Sequence, residues 1–280
     1  MSFNVHITSP DMQHSVYDFP ADDAPIVQYA DLVMHGYVSS VATLYGAARG
    51  MGIDIDAETF ERWKRMGAAA GRLDDYLDEG PDKLGAVQAY DTGLAQALTD
   101  IDAVTPPADA DPLLAPTLRL LHNSVAVLPP IRVETLGYAA RIIGQTAVAK
   151  LLCTDVAEYQ MILGHEAAWS SKLITDAVSE TVRADPHYSQ FAAWCRNAIT
   201  LATLVDSSWD LPADAAAGRT RVAPSLANCL YLARTALPAL RALHGTKADR
   251  RATRTSLYGR VRFSLVPTVM LKRSNGQLAV

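Results

Sequence analysis

The sequence predicts an all-α protein, a single helical bundle of about eight or nine helices. Three observations predict it. Apolar residues recur at helical spacing in one segment after another, and no segment sustains the period-two alternation of a strand. Prolines and glycines fall between these segments at helix-length intervals. No repeat, low-complexity tract or long linker divides the 280 residues, a length that can bury a substantial core.

Residues 1–24 are polar and contain Pro and Asp, so they read as a flexible N-terminal arm. Residues 25–280 read as the helical domain. From Pro25 to Arg49, Ile26, Tyr29, Val33, Tyr37, Val41 and Leu44 mark an apolar stripe, with Gly50 as the expected stop. Asp54 or Asp56 can cap the next helix, which carries Phe60, Trp63 and Met66 into the acidic stretch Gly71–Lys83. A Gly80-Pro81 stop follows, then a helix over 84–101 and a Pro/Asp loop over 102–112. Further helices are expected near 113–128, 131–152, 154–183, 188–209, 224–243 and 248–271, punctuated by Pro129-Pro130, Asp185-Pro186, Pro212 and Gly245. The helix Leu136–Leu152 is apolar around most of its circumference, which predicts a central position. Its small residues, among them Gly137, Ala140 and Gly144, allow close packing or leave room for an apolar ligand.

A formal net charge of −5 argues against a general nucleic-acid binder. The three cysteines are too few and too dispersed for a disulfide framework or a zinc knuckle. The N-terminus has neither a basic n-region nor an apolar h-region, and no apolar run approaches the roughly 20 residues of a membrane span. A soluble cytoplasmic protein without stable membrane insertion is expected.

Gly71–Lys83 (GRLDDYLDEGPDK) places Asp74, Asp75, Asp78 and Glu79 at a helix C-terminus. Like charges at i, i+3 and i, i+4 repel, and the helix dipole disfavours anions at that end. A divalent cation among them removes the cost. A second cluster, Asp206, Asp210 and Asp214, repeats at i, i+4, i+8. Pro212 is expected to end or kink that helix near Leu211, leaving Asp214 at its end or in a loop beside the flexible, basic Gly218-Arg219 and Arg221. Alone, either cluster also reads as a solvated acidic helix end. Together, two carboxylate clusters suit Mg²⁺, which commonly binds a substrate phosphate as well. Neighbouring arginines suit a polyanion, and an apolar interior suits a hydrocarbon tail, so the features converge on an allylic diphosphate.

These residues resemble the class I all-α isoprenoid synthase superfamily, which comprises trans-prenyltransferases, class I terpene cyclases and squalene/phytoene synthases. Asp74-Asp75-Tyr76-Leu77-Asp78 matches the DDxxD motif. Asp206, Asp210 and Asp214 with Gly218-Arg219 resemble the second metal motif, and Asp210–Arg219 with Pro224 is close to its phytoene synthase form. Between them, Gly144-Gln145, Glu158-Tyr159 and Ile162 resemble the prenyltransferase stretch of two helices. Order and rough spacing agree over about residues 60–225. The resemblance implies the class I terpenoid synthase fold with a central apolar cavity.

It further implies that Asp74, Asp75, Asp78, Asp206, Asp210 and Asp214 hold up to three Mg²⁺, with Mn²⁺ able to take the same ligands. Asp75, Asp78, Asp206, Asp210 and Arg219 would carry the ionisation of the diphosphate, and Arg221 and Arg260 would help clamp it. Tyr76, Trp169 and Trp209 would face the carbocation, with Trp194 a further candidate and core packing the other reading of each. Tyr258 loosely resembles a C-terminal Arg-Tyr of the cyclases. His165 stands where prenyltransferases have a phosphate-binding lysine, and it also reads as a buried structural histidine. Glu158 and Glu166 read as general bases or as salt-bridge partners.

The departures matter too. Ser207 replaces the second aspartate of the second motif, and Asp82-Lys83-Leu84-Gly85 stands where chain-elongating enzymes have Arg-Arg-Gly. The expected activity is therefore a terpene cyclase acting on a linear isoprenyl diphosphate. A prenyltransferase using a second acceptor is the alternative, and a non-catalytic helical protein binding an apolar ligand is a third. The family pattern also allows a homodimer.

Overall fold

The computed structural model describes residues 35–79, 85–86, 90 and 114–260, with side chains for all of these except 35–39, 74–75, 77–79 and 257–260. The expected arm 1–24, residues 25–34 of the first helix, most of helix 84–101, the 102–112 loop and residues 261–271 lie outside it. Among the described residues the secondary structure is helical, with no strand. The helices are α1 (His35–Met51), α2 (Ala57–Glu79), α3 (Leu114–Val125), α4 (Pro130–Leu152) and α5 (Val156–Asp176). A single turn α6 (Glu180–Arg183), the long α7 (Tyr188–Ala216), α8 (Leu226–Thr235), α9 (Leu237–Ala242) and α10 (Lys247–Arg260) follow.

Local chemistry sets the starts. The Asp56 carboxylate accepts from the Thr59 amide (2.7 Å) ahead of α2, and Asp155 accepts from the Ala157 and Glu158 amides (2.9 Å each) to cap α5. Pro130 occupies the first turn of α4, where its missing N–H costs nothing. Thr246 and Asp249 cap α10 reciprocally, Asp249 N to Thr246 Oγ1 at 3.0 Å and Thr246 N to Asp249 Oδ2 at 2.9 Å.

Gly50 does not stop α1. The helix runs on to Met51, and Gly52 at φ +89° turns the chain. Gly50 instead admits α10. A Cβ there would clash with Thr255 Oγ1 and lie 3.0 Å from the Ala252 Cα. Thr255 Oγ1 also donates to the Gly46 carbonyl at 2.8 Å. The α1–α10 pair is the most extensive helix contact described, and it is antiparallel, because Ala252 meets Gly50 while Thr255 meets Gly46.

The expected helix 154–183 breaks at Ala177–Ser179. Two buried arginines capture the carbonyls freed there. Arg62 donates from Nη1 to the Ala177 carbonyl (2.7 Å) and from Nε to that of Ser124 (3.0 Å). Arg132 donates from Nη1 to the carbonyls of Val178 (2.6 Å) and Asp176 (3.2 Å). Their remaining nitrogens pair with Glu58 and Glu180. The turn thus satisfies helix-end acceptors and interior cations together.

These contacts orient the bundle. The N-terminal turns of α2 (Arg62) and α4 (Arg132) lie at the C-terminal end of α5. Tyr188, opening α7, donates to the Thr175 carbonyl at that same end. At the other end Tyr159 and Leu163 of α5 share a buried cluster with Leu204 and Leu211 of α7. Trp63 and Phe191, with ring centroids 6.1 Å apart, join the beginnings of α2 and α7. Helices α2, α4 and α7 therefore run in one direction, and α5 runs against them. Tyr45 against Phe60 (5.5 Å) makes α1 antiparallel to α2, so α10 runs in the same direction as α2, α4 and α7.

Helix α4 is not enveloped. It buries Leu136, Gly137, Ala139, Ala140 and Gly144 but exposes Tyr138, Gln145 and Leu152. Its small residues make one closely packed face, which leaves the larger side chains outside. At Gly144 the choice between packing and ligand space is resolved: the Tyr90 ring covers it, with Cε1 2.7 Å from where a Cβ would stand. Tyr90 also donates to the Ala140 carbonyl at 3.0 Å.

Candidate functional site

The two acidic stretches lie in the closing turns of α2 and α7, toward the same end of the bundle. Asp74, Asp75 and Asp78 fall in the last two turns of α2; their side chains lie outside those described, as do Asp82 and Lys83. Tyr76, between them, is half-buried against the cluster of Leu73, Leu114, Leu118 and Ala140. Tyr258 and Arg260 belong to the final turn of α10, and their side chains too lie outside the description; Ser256, just before them, packs at Gly46 of α1.

Pro212 does not end α7, which continues to Ala216. Proline removes one backbone donor, but Leu204 and Leu211 are fully buried in the cluster with Leu163, Val222 and Leu232, and this packing holds the helix across the gap. Asp206, Asp210 and Asp214 therefore lie along one continuous strip of helix, one turn apart, with Asp214 in the helix rather than in a loop. Asp206 is exposed, and Asp210 and Asp214 are half-buried.

The Gly218-Arg219 pair is an ordered C-cap rather than a flexible stretch. Gly218 takes φ +69°. The Arg219 amide donates to the Asp214 carbonyl (2.8 Å) and the Gly218 amide to that of Ala215 (3.2 Å), a Schellman closure. The closure delivers the guanidinium to the Asp214 carboxylate, with Nε 2.9 Å and Nη2 2.8 Å from Oδ1. One Asp214 oxygen is thereby held by Arg219. Arg221 is exposed just beyond.

The other candidates lie on α5 and α7. His165 is exposed, which excludes a buried structural histidine. Its neighbour Glu166 pairs with Lys150, Nζ to Oε1 at 3.2 Å, so this carboxylate is a salt-bridge partner. Trp169 is half-buried and packs edge-to-face against Tyr138 (5.2 Å, 78°). Trp209 is 82% exposed and encloses nothing. Trp194 is buried, its Nε1 donating to Thr253 Oγ1 at 3.0 Å, a core contact between α7 and α10.

Two basic residues escaped the sequence reading. Arg72 is buried on α2 two residues before Asp74, and Arg141 is half-buried on α4 next to Ala140. The available signal was an arginine inside the acidic motif itself. Among the described side chains, no three His, Cys, Asp or Glu converge closely enough to hold a metal ion. Cys153, Cys195 and Cys229 are free thiols, and Cys195, fully buried, has its pKa pushed far up by desolvation. No helix among the described residues is long and apolar enough to cross a membrane.

No protein-family model matches the chain, and no curated protein or solved structure does.

Proposed function

We propose that the protein is a Mg²⁺-dependent class I terpene cyclase of divergent sequence, with the class I terpenoid synthase fold and its central cavity. The observation that carries this reading is directional. The DDxxD-like stretch closes α2, the strip Asp206–Asp210 lies near the close of α7, and both helices end at the same end of the bundle. Carboxylates from two parallel helices are hard oxygen donors suited to Mg²⁺. Asp75, Asp78, Asp206 and Asp210 would hold the metal, with Asp74 as a further ligand. When bound, the ions supply Lewis-acid stabilisation of the departing diphosphate.

The chain's own groups do the rest. Arg219, oriented by Asp214, presents charge to the diphosphate beside the acidic strip, and Arg221 adds to it. The allylic C–O bond breaks with its electron pair leaving on the diphosphate. The cation is quenched by loss of a proton to give a hydrocarbon, or by capture of water and loss of a proton to give an alcohol. Tyr76, in sequence between the motif aspartates, would be the aromatic that faces the cation.

The test supplies Mg²⁺ and geranyl, farnesyl or geranylgeranyl diphosphate, one at a time. A cyclised product from a single substrate is expected, and Asp75→Ala and Asp210→Ala should each lower diphosphate release by about a hundredfold or more, the scale of losing one electrostatic contributor. Release that is unchanged in both variants would sink the metal site. Product formed only when an acceptor is added would make the enzyme a prenyltransferase.

A further inference from the structure

Helices α8 and α9 carry a second apolar face that the core does not use. Ala236, which ends α8 and begins α9, keeps right-handed helical dihedrals (φ −77°, ψ −17°), and the Leu240 amide donates to its carbonyl at 3.1 Å. The chain from Leu226 to Ala242 is thus one bent helix. Its inner stripe, Leu232, Ala236 and Ala239, is buried. Its outer stripe runs Leu226, Leu230, Arg234, Leu237 and Arg241, with Leu240 beside it, at i, i+4, i+8, i+11 and i+15. All six are exposed, Leu226 at 75% and Leu230 at 52%.

Along the sequence, the charge of this segment is one-sided. No Asp or Glu occurs between Asp214 and Asp249, and residues 219–280 carry twelve Lys or Arg against that one acid, in a chain whose net charge is −5. A stripe of leucines with arginines set into it, in an acid-free segment, matches an anionic bilayer surface: leucines enter the headgroup boundary while the guanidiniums meet lipid phosphates. A second copy of the chain fits poorly. A two-fold interface sets the patch against itself, bringing arginines together with no carboxylate to pair them. Nucleic acid would meet the arginines but leave the aliphatic stripe without a role.

We infer that the outer face of α8–α9 is a peripheral docking surface for anionic lipid bilayers. The inference stands apart from the proposed catalysis, because binding is measured without substrate.

The experiment is flotation of the full-length protein with vesicles of phosphatidylcholine alone or with 30 mol% phosphatidylglycerol, at about 0.1 M and 0.5 M salt. The expected result is at least about tenfold tighter binding to the anionic vesicles, weakened at high salt, given about 1 kcal/mol for each basic residue near such a surface. The double variant Leu230→Glu/Leu237→Glu should abolish flotation, and Arg234→Gln/Arg241→Gln should remove most of the preference for anionic lipid. All four positions are solvent-exposed, and unchanged thermal midpoints verify the fold. Wild-type protein that binds both vesicles equally, or neither, overturns the inference. So does wild-type binding by the Leu230→Glu/Leu237→Glu variant. A lipid-free dimer dissociated by that variant would assign the face to self-association. Binding of duplex DNA in place of vesicles would assign it to nucleic acid. Either outcome overturns it.

Discussion

Arg219 donates from Nε to Oδ1 of Asp214, five residues earlier and across the cap that closes α7, and holds Nη2 in ion-pair contact with the same oxygen. The pair gives Asp214 a role of its own, aiming a guanidinium, whereas Asp206 and Asp210 are proposed to hold metal. Asp214→Asn and Arg219→Ala should therefore act alike, raising the KM for an isoprenyl diphosphate by about tenfold or more, the scale of one charge-assisted hydrogen bond. Asp210→Ala should instead lower kcat and raise the Mg²⁺ requirement. Steady-state kinetics at varied Mg²⁺ separate the two patterns; identical behaviour of Asp214→Asn and Asp210→Ala would refute the division.

Pro212 sits exposed inside α7. An interior proline costs about 3 kcal/mol in an isolated helix, offset by about 1 kcal/mol from its restriction of the unfolded chain. Pro212→Ala should raise stability by about 1 kcal/mol or more, read as a higher denaturant midpoint with an unchanged slope. A lower midpoint would show that Pro212 itself supports the packing of Leu211.

The close approach of α1 and α10 depends on Gly50. Gly50→Ala should destabilise by about 1–3 kcal/mol, because its Cβ meets the backbone of Ala252 as well as the Thr255 hydroxyl. Gly52→Ala is the contrasting variant. Nothing lies within 4 Å of its Cβ position, but φ +89° strains any L side chain, at about 1–2 kcal/mol. Combining Gly50→Ala with Thr255→Ala, which removes the hydroxyl, should leave the cost largely in place if the backbone clash with Ala252 dominates.

Asp56 ties the start of α2 to the α5–α6 turn. Burial alone would raise its carboxyl pKa. Hydrogen bonds from Ser179 and from the Thr59 amide and side chain, with the nearby Arg62 charge, outweigh burial and hold it below the usual value. A depressed folded pKa means that this stabilisation is present above about pH 4, near the unfolded pKa, and is lost as pH falls through the folded value. Asp56→Ala should cost about 1 kcal/mol at pH 7, as loss of an N-cap does. The difference from wild type should shrink as the pH drops below about 4. A difference that stays constant down to pH 2 would argue against the ionised cap.

Much of the architecture is written locally. Apolar spacing with Pro129-Pro130, Asp56 and the Asp185-Pro186 break specifies helices that begin within a few residues of where they are observed, and the all-α class follows. Side-chain caps and proline geometry act over one turn, so the chain carries them in plain order. The acidic strip was legible for the same reason, since i, i+4, i+8 is a property of any helix.

Tertiary packing decided the rest. Gly50 looks like a helix stop until α10, some two hundred residues later, needs the space above it. Pro212 looks like a terminator until Leu211 is buried on its far side. The break at Ala177–Ser179 has no glycine or proline to announce it; its freed carbonyls are accepted by Arg62 and Arg132 from other helices. The sequence by itself determined that this chain makes helices and where its carboxylates cluster. Only the tertiary structure decided that α2 and α7 run in the same direction, because helix direction is set by long-range packing that no local spacing encodes.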